Sequence, residues 1–411
     1  MYIQEVIARK IPNSKGRATI SVTVKANGKS FEASAPEGTS KGKHEVQVFS
    51  KKGIDFSISM INAFGKKLIN EKTSFNEFQD LEKIEEFVKK ADKTNNLSVF
   101  GGNALYALET AVLKAIANSH EQELWHYLFK DKNVRFPSPL GNAIGGGKHL
   151  QQRQKTDFQE FLFLPKTKNF FDAYFINLQA YKECKHLLKD LDRFWKNSLT
   201  YENALASFLD NESVLDIFKK VQERIQKTFG VELNYGIDAA ADSLWKSQSY
   251  RYKNFKPNRR ELSLNKKDQI SYMAELIKKY NISYIEDPFH DEDFESFARL
   301  LKQTKNCLIC GDDLTCTHFD RVKKAIQLKS INALIVKPNQ VGSLIQTKKV
   351  VDLARSKGIT IVLSHRSGET YDHSLAHFAL GWQAQIIKTG ILGKERFAKL
   401  HELIRIERKL S

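Results

Sequence analysis

No stretch of this 411-residue chain approaches the about 18 uninterrupted apolar residues of a membrane-spanning helix. The first residues, MYIQEVIARK, lack the basic segment and apolar run of a secretory leader. Four cysteines are too few for a disulfide framework. These absences give the expectation of a reducing cytoplasm. No low-complexity linker divides the chain, and no glycine-rich dinucleotide fingerprint follows a strand pattern. No basic arm of five or more residues occurs, although 65 Lys+Arg against 48 Asp+Glu leave a net charge of +17.

What is present fills a core. The 41% apolar content and 27 Phe exclude wholesale disorder. The length calls for two domains, or one large barrel with an addition. The positive charge favours phosphates, nucleic acid or anionic surfaces. Basic and aromatic residues interleave at Ser249–Arg260 (SYRYKNFKPNRR). That stretch reads as a nucleic-acid-binding loop or, as is commoner, a solvated Lys-rich loop.

The first ~130 residues read as strands followed by helices, an α+β pattern. Ala18–Ala26 alternates as a strand does, and Lys29–Ala35 reads as its hairpin partner. Asn103–Ser119 carries an apolar helical pattern. Prolines at Arg135–Pro139 (RFPSP) put the boundary there, giving domains 1–134 and 135–411. Beyond it, short apolar runs end in polar residues. They are Leu233–Asp238, Ile282–Glu286, Cys307–Asp312, Ala333–Lys337, Thr360–His365 and Gln385–Lys388. Their ends are 48, 26, 25, 28 and 23 positions apart, the length of a strand with its crossover helix. The 48-residue gap holds two units or a long insertion. Buried, unalternating strands argue for a parallel sheet, and six such units argue for a (β/α)8-type barrel.

Chemistry in such barrels sits at the C-terminal strand ends. Those ends carry Asp238, Glu286, Asp312, Lys337, His365 and Lys388. Three converging carboxylates are hard oxygen ligands that suit Mg²⁺, whereas any one alone reads as a cap or ion-pair partner. Lys337, near other cations and a metal, is expected to favour its neutral form and to act as a base. Lys388 adds a second cation. His365-Arg366-Ser367 offers a grip for phosphate or carboxylate. Gly145–His149 opens a polar loop that ends at Gln159-Glu160, and Pro36–Gly42 reads as a mobile lid or a plain hairpin loop. Cys307, Cys310 and Cys316 lack metal-site spacing and read as structural.

These residues resemble enolases. The resemblance rests on IEDPF (285–289), GDDLT (311–315), KPNQ (337–340), SHRSGET (364–370) and IKTG (387–390). Asp238-Ala239-Ala240 and QEF (159–161) also fit. The resemblance implies a barrel of enolase-like strand order with an N-terminal α+β domain, two Mg²⁺ and a homodimer or higher homo-oligomer. It implies a lyase interconverting 2-phosphoglycerate and phosphoenolpyruvate. By resemblance Asp238, Glu286 and Asp312 hold the first metal and Ser40 reaches the second. Lys337 is the base, Lys388 lies near the substrate carboxylate, and Arg366 and Ser367 bind phosphate. His149, Gln159, His365 and Glu160 face the substrate.

The chain departs from the family at identifiable places. The GDEGG-type loop is replaced by Asn197–Ser207 (NSLTYENALAS), without a glycine pair. An ungapped alignment sets Asn203 at the loop's Glu, and a one-residue shift sets Glu202 there. The loop before Gln159 is two residues longer than the usual form, and Glu37 and Lys41 replace small polar residues in the lid. Asn13-Ser14-Lys15-Gly16 stands for DSRG. The expectation is that proton abstraction and metal binding are intact while Glu202 sits displaced and hydroxide expulsion is impaired. The alternatives are an enolase-like paralogue with another substrate and a nucleic-acid-associated binding protein.

Overall fold

The computed structural model describes residues 1–39, 41–131, 133–150, 155–255 and 260–411, with Arg260 as backbone only. The alternating segment near the N-terminus is the middle of a three-stranded antiparallel sheet, β1 (Ile3–Pro12), β2 (Ala18–Ala26) and β3 (Lys29–Ser34). Ile20, Val22 and Val24 are fully buried. The β2–β3 turn is Asn27-Gly28, with φ of 49° and 75°. Asparagine and glycine tolerate that left-handed region best, so the dipeptide sets the hairpin register. The helix Gly102–Ser119 buries 15 of its 18 residues. Such a helix is covered all round: the sheet lies on one side and barrel helices on the other.

The remaining strands are β4 (Ser138–Gly145), β5 (Glu160–Lys166), β6 (Leu205–Ala206), β7 (Glu232–Asp238), β8 (Trp245–Lys246), β9 (Ser249–Phe255), β10 (Arg260–Leu264), β11 (Tyr284–Glu286), β12 (Leu308–Gly311), β13 (Ala333–Val336), β14 (Thr360–Ser364) and β15 (Ile386–Lys388). Eight strands close a barrel in the order β4-β5-β7-β11-β12-β13-β14-β15, and β15 pairs back onto β4. β5 is antiparallel to both neighbours, while the other barrel pairs are parallel. The chain thus lays down two strands, then the helices Phe170–Leu191 and Asn211–Phe229, before the regular alternation begins.

The barrel strands are buried on both faces, which explains their unalternating sequences. Leu140, Leu162, Tyr284, Cys310, Ala333, Ile335, Val362 and Ile386 form one cluster inside the barrel. Their neighbours along the strands, such as Ile285, Ile309, Leu334 and Leu363, join the larger core under the helices. Cys307 belongs to that outer core and Cys310 to the inner one, and all four cysteines are free and buried.

The 48-residue gap holds an insertion, not a second barrel unit. β8, β9 and β10 form a small antiparallel sheet that leads into the helix Lys266–Tyr280. This removes two of the stretch's aromatic rings from any stacking role. Tyr250 and Tyr252 turn inward and are buried. The Tyr250 hydroxyl accepts from the His290 backbone N–H at 3.1 Å, and that of Tyr252 donates to Gln269 at 2.9 Å. Neither ring is available to stack on a base. Residues 256–259 lie outside the described residues. Among the described residues, no helix is long and apolar enough to cross a membrane.

Candidate active site

Strand register brings the chemistry to one rim. In the pairing, Glu160 lies opposite Asp238, and Asp238 lies opposite Glu286. Glu160 begins its strand while the other two end theirs. It reaches the same rim because β5 runs antiparallel. Asp312, Lys337 and His365 each follow the last residue of a parallel strand, and Lys388 ends β15. Twelve residues singled out in the sequence line a single cavity: His149, Gln159, Glu160, Glu202, Asp238, Glu286, Asp312, Lys337, His365, Arg366, Ser367 and Lys388. Ser40 lies outside the described residues.

The cavity is short of positive charge. Its lining counts eight carboxylates against Lys148, Lys337, Arg366 and Lys388. Lys388 Nζ donates to both Glu286 oxygens at 2.8 Å and lies 3.0 Å from Glu160 and 3.4 Å from Asp238. The Tyr284 hydroxyl supports Glu286 from inside the barrel at 2.6 Å. Burial, aided by Asp238 and Asp312, pushes Glu286 up to about 7 despite Lys388. Burial and Asp312 push Asp313 up to about 8. Burial also lifts Glu160, against the charge of Lys388. A buried carboxylate shifts this way when compensating cations are too few. Asp238, Glu286 and Asp312 are hard oxygen donors in a cluster that lacks cation, so the residues present fit a divalent metal.

Lys337 faces an anion as well as the cations of the site. Its ammonium is ion-paired with Asp312, and it is held above its ordinary value although burial works against the charge. The nearest group to Lys337 is an anion, and that outweighs the cations counted in the sequence. Asp312 is in turn held low by Lys337, again against burial. Gln340 donates to the other Asp312 oxygen at 3.1 Å. A metal held by Asp312 would draw that carboxylate away from Lys337 and ease its deprotonation.

Glu202 reaches the cavity. It is buried, with its oxygens 3.7 Å from His149 Nε2 and 3.6 Å from His365 Nε2. The local chain is a turn, not a helix. The Thr200 hydroxyl accepts from the N–H groups of Glu202 and Ala204, each at 3.2 Å. Asn203 sits at φ 62°. Asparagine enters the left-handed region more readily than other non-glycine residues, so it supplies the backbone turn that the missing glycines implied. The absence of glycines therefore does not remove the turn. Burial opposes ionisation of Glu202, but His149, His365, Arg396 and Lys388 together hold its carboxyl below the usual range. Burial lowers both His149 and His365, and the charge of Glu202 works against that shift.

Three lining residues escaped the sequence reading. Glu45 makes a bidentate ion pair with Arg366, with both bonds at 3.0 Å, from 321 positions away. Asp287 accepts the backbone N–H groups of Asp312 at 3.0 Å and Asp313 at 2.7 Å and so fixes that turn. Asp313 lies beside both, with ligand atoms of all three within 4.8 Å of one another. Asp287 and Asp313 were visible as the second acids of IEDPF and GDDLT. The lid is docked: Thr39 N–H donates to the Ser367 hydroxyl at 2.8 Å, and Glu37 bridges to Gly368.

A barrel whose rim gathers acids around two buried lysines, closed by an α+β domain, defines the class of proton-abstracting lyases that work with a divalent metal. The particular family follows from comparison with known proteins. Residues 3–128 match the enolase N-terminal domain and residues 133–411 the enolase C-terminal TIM barrel domain. The chain belongs to the enolase family. It is 38% identical to the enolase of Archaeoglobus fulgidus over 408 residues, covering 99% of this chain and 97% of that one. It is 37% identical to the enolase of Methanosphaera stadtmanae over 412 residues, covering 99% and 97%. It is 35% identical to the enolase of Picrophilus torridus over 409 residues, covering 99% of each.

Proposed function

We propose that this protein is a phosphopyruvate hydratase, interconverting 2-phosphoglycerate and phosphoenolpyruvate with two Mg²⁺. Lys337 Nζ removes the α-proton, and the electron pair moves into the substrate carboxylate. Lys388, buried among Glu160, Asp238 and Glu286, balances charge on that side. Asp238, Glu286 and Asp312 would hold one Mg²⁺. When bound, Mg²⁺ supplies positive charge for the enediolate. Glu160 and Glu202 face the departing hydroxyl, which takes a proton from this carboxyl pair and leaves as water. Arg366 and Ser367 take the phosphate, and His149, Gln159 and His365 complete the walls.

The observation that carries this reading is the convergence on one cavity of twelve residues named from the sequence. The Glu202 geometry favours an intact enolase over a paralogue that binds without turnover. The same reading gives domains 1–134 and 135–411, a cytoplasmic enzyme and a homodimer or higher homo-oligomer. The test is growth of phosphoenolpyruvate absorbance from 2-phosphoglycerate with Mg²⁺, abolished by EDTA. It is run beside exchange of the α-proton in deuterated water. Lys337→Ala should stop exchange, whereas Arg366→Ala should mainly weaken binding. Exchange at the parent rate in Lys337→Ala would assign the base elsewhere.

A further inference from the structure

Two departures from the family pattern, Lys15 and Tyr201-Glu202, are far apart in the sequence and meet in space. The Lys15 ammonium lies over the Tyr201 ring, 5.1 Å from its centroid. It also donates to the Thr39 hydroxyl in the lid. Thr39 in turn contacts Ser367 twice, through its N–H at 2.8 Å and hydroxyl to hydroxyl at 2.7 Å. The β1–β2 turn that carries Lys15 is itself fixed. The Asn13 side-chain oxygen accepts from Lys15 N–H at 2.9 Å and Arg17 N–H at 3.1 Å. Ser14 Oγ accepts from Glu369 N–H at 3.0 Å and from Arg396 at 3.1 Å.

Lys15 does not line the cavity, yet it contacts Thr39, which does, and Tyr201, the chain neighbour of the lining residue Glu202. Its charge is felt by Glu202 and by His149. A cation held over an aromatic face is attracted by the ring, and with Tyr201 54% exposed the attraction is that of a solvated pair.

We propose that Lys15 is a positioning residue for hydroxide expulsion. It holds the Tyr201-Glu202 turn against the closed lid by bridging the Tyr201 ring and Thr39. The proposal rests on the enolase reading, since it assigns Lys15 to one half of that reaction. A misplacement of Glu202 by an ångström is costly in rate while leaving the base at Lys337 untouched.

The experiment compares Lys15→Met, Lys15→Arg and Tyr201→Leu with the parent. Lys15→Met keeps the stem and removes the charge and its N–H groups. Elimination should fall about tenfold while α-proton exchange stays within about twofold. Tyr201→Leu should follow it, and Lys15→Arg should restore elimination, because a guanidinium also sits on an aromatic face. Exchange and elimination falling together, or neither changing, would overturn the proposal. Amide hydrogen exchange gives a readout that needs no turnover. Thr39 should exchange at least about tenfold faster in Lys15→Met and at the parent rate in Lys15→Arg. A parent inactive on 2-phosphoglycerate would sink the enolase reading. The Thr39 amide would then decide the bridge alone: protection unchanged in Lys15→Met refutes it.

Discussion

Lys388 donates to both carboxylate oxygens of Glu286, each at 2.8 Å, and the same ammonium reaches Asp238 and Glu160. One buried cation thus serves three buried anions. The arrangement follows from register, since Glu160, Asp238 and Glu286 are laterally paired on adjacent strands.

Removing that cation leaves the anions facing one another without compensation. Lys388→Met should destabilise the metal-free protein by about 3–5 kcal/mol, the usual cost of breaking a buried pair. Denaturant unfolding in EDTA measures it. Saturating Mg²⁺ should narrow the difference, because a metal on Asp238 and Glu286 offsets part of the lost charge. A variant as stable as the parent in EDTA would show that the carboxylates are already protonated.

Asp312→Ala removes a proposed ligand and also the ion-pair partner of Lys337. Calorimetric Mg²⁺ affinity should drop at least about tenfold, since a hard cation loses one of few charged oxygens. Affinity equal to the parent's would move the metal to other acids, with Asp287 and Asp313 the nearest.

Much of this site was readable before any coordinates, for a physical reason. Barrel strands are short and buried on both faces, so the first polar residue after each apolar run marks the rim. What needed the structure was long-range or conformational. Nothing local ties Glu45 to Arg366, 321 residues away. Nor does the sequence show that Lys337 pairs with Asp312, 25 positions earlier. The absent glycines suggested a lost turn, yet only a positive φ was required, and Asn203 provides it. The basic-aromatic stretch did carry the sign of its two inward rings. In SYRYKNF the period-2 alternation turns Tyr250 and Tyr252 inward and leaves Arg251 and Lys253 exposed.

Acid should weaken the seam between the helix Lys394–Leu410 and the start of the helix Leu124–Leu128. Glu123 accepts from Arg405 at 2.8 Å, Lys409 at 2.6 Å and the Trp125 indole at 3.0 Å. Burial opposes its charge, but Arg405 and Lys409 bring it down to about 2. A carboxylate depressed on folding adds stability above its ordinary value near 4.5 and loses it as pH falls toward 2. The group is partly solvated, so about 1 kcal/mol is the expected size. Glu123→Gln should lie below the parent by that amount at pH 7, and the gap should close below about pH 4. A constant gap across that range would assign the loss to packing instead.

The turn at Asn203 governs the second half of the reaction. Its N–H donates to Thr200 at 3.0 Å, and its carbonyl accepts the Tyr181 hydroxyl at 3.0 Å. The conformation is therefore held on both sides, and the residue must accept φ 62°. Asn203→Gly accepts it freely and should leave both exchange and elimination near the parent rates. Asn203→Val brings a β-branched side chain into the left-handed region, at a cost of about 1–2 kcal/mol. Relief of that strain would swing Glu202 away from His149 and His365, so elimination should fall while α-proton exchange persists. Glu202→Gln sets the limit of that effect. Loss of the ionised carboxylate should slow elimination by at least about 100-fold with exchange spared. The decisive comparison is the ratio of the two rates across the three variants. If Asn203→Val keeps the parent ratio while Glu202→Gln does not, the left-handed turn is incidental, and Glu202 is placed by its imidazole neighbours alone.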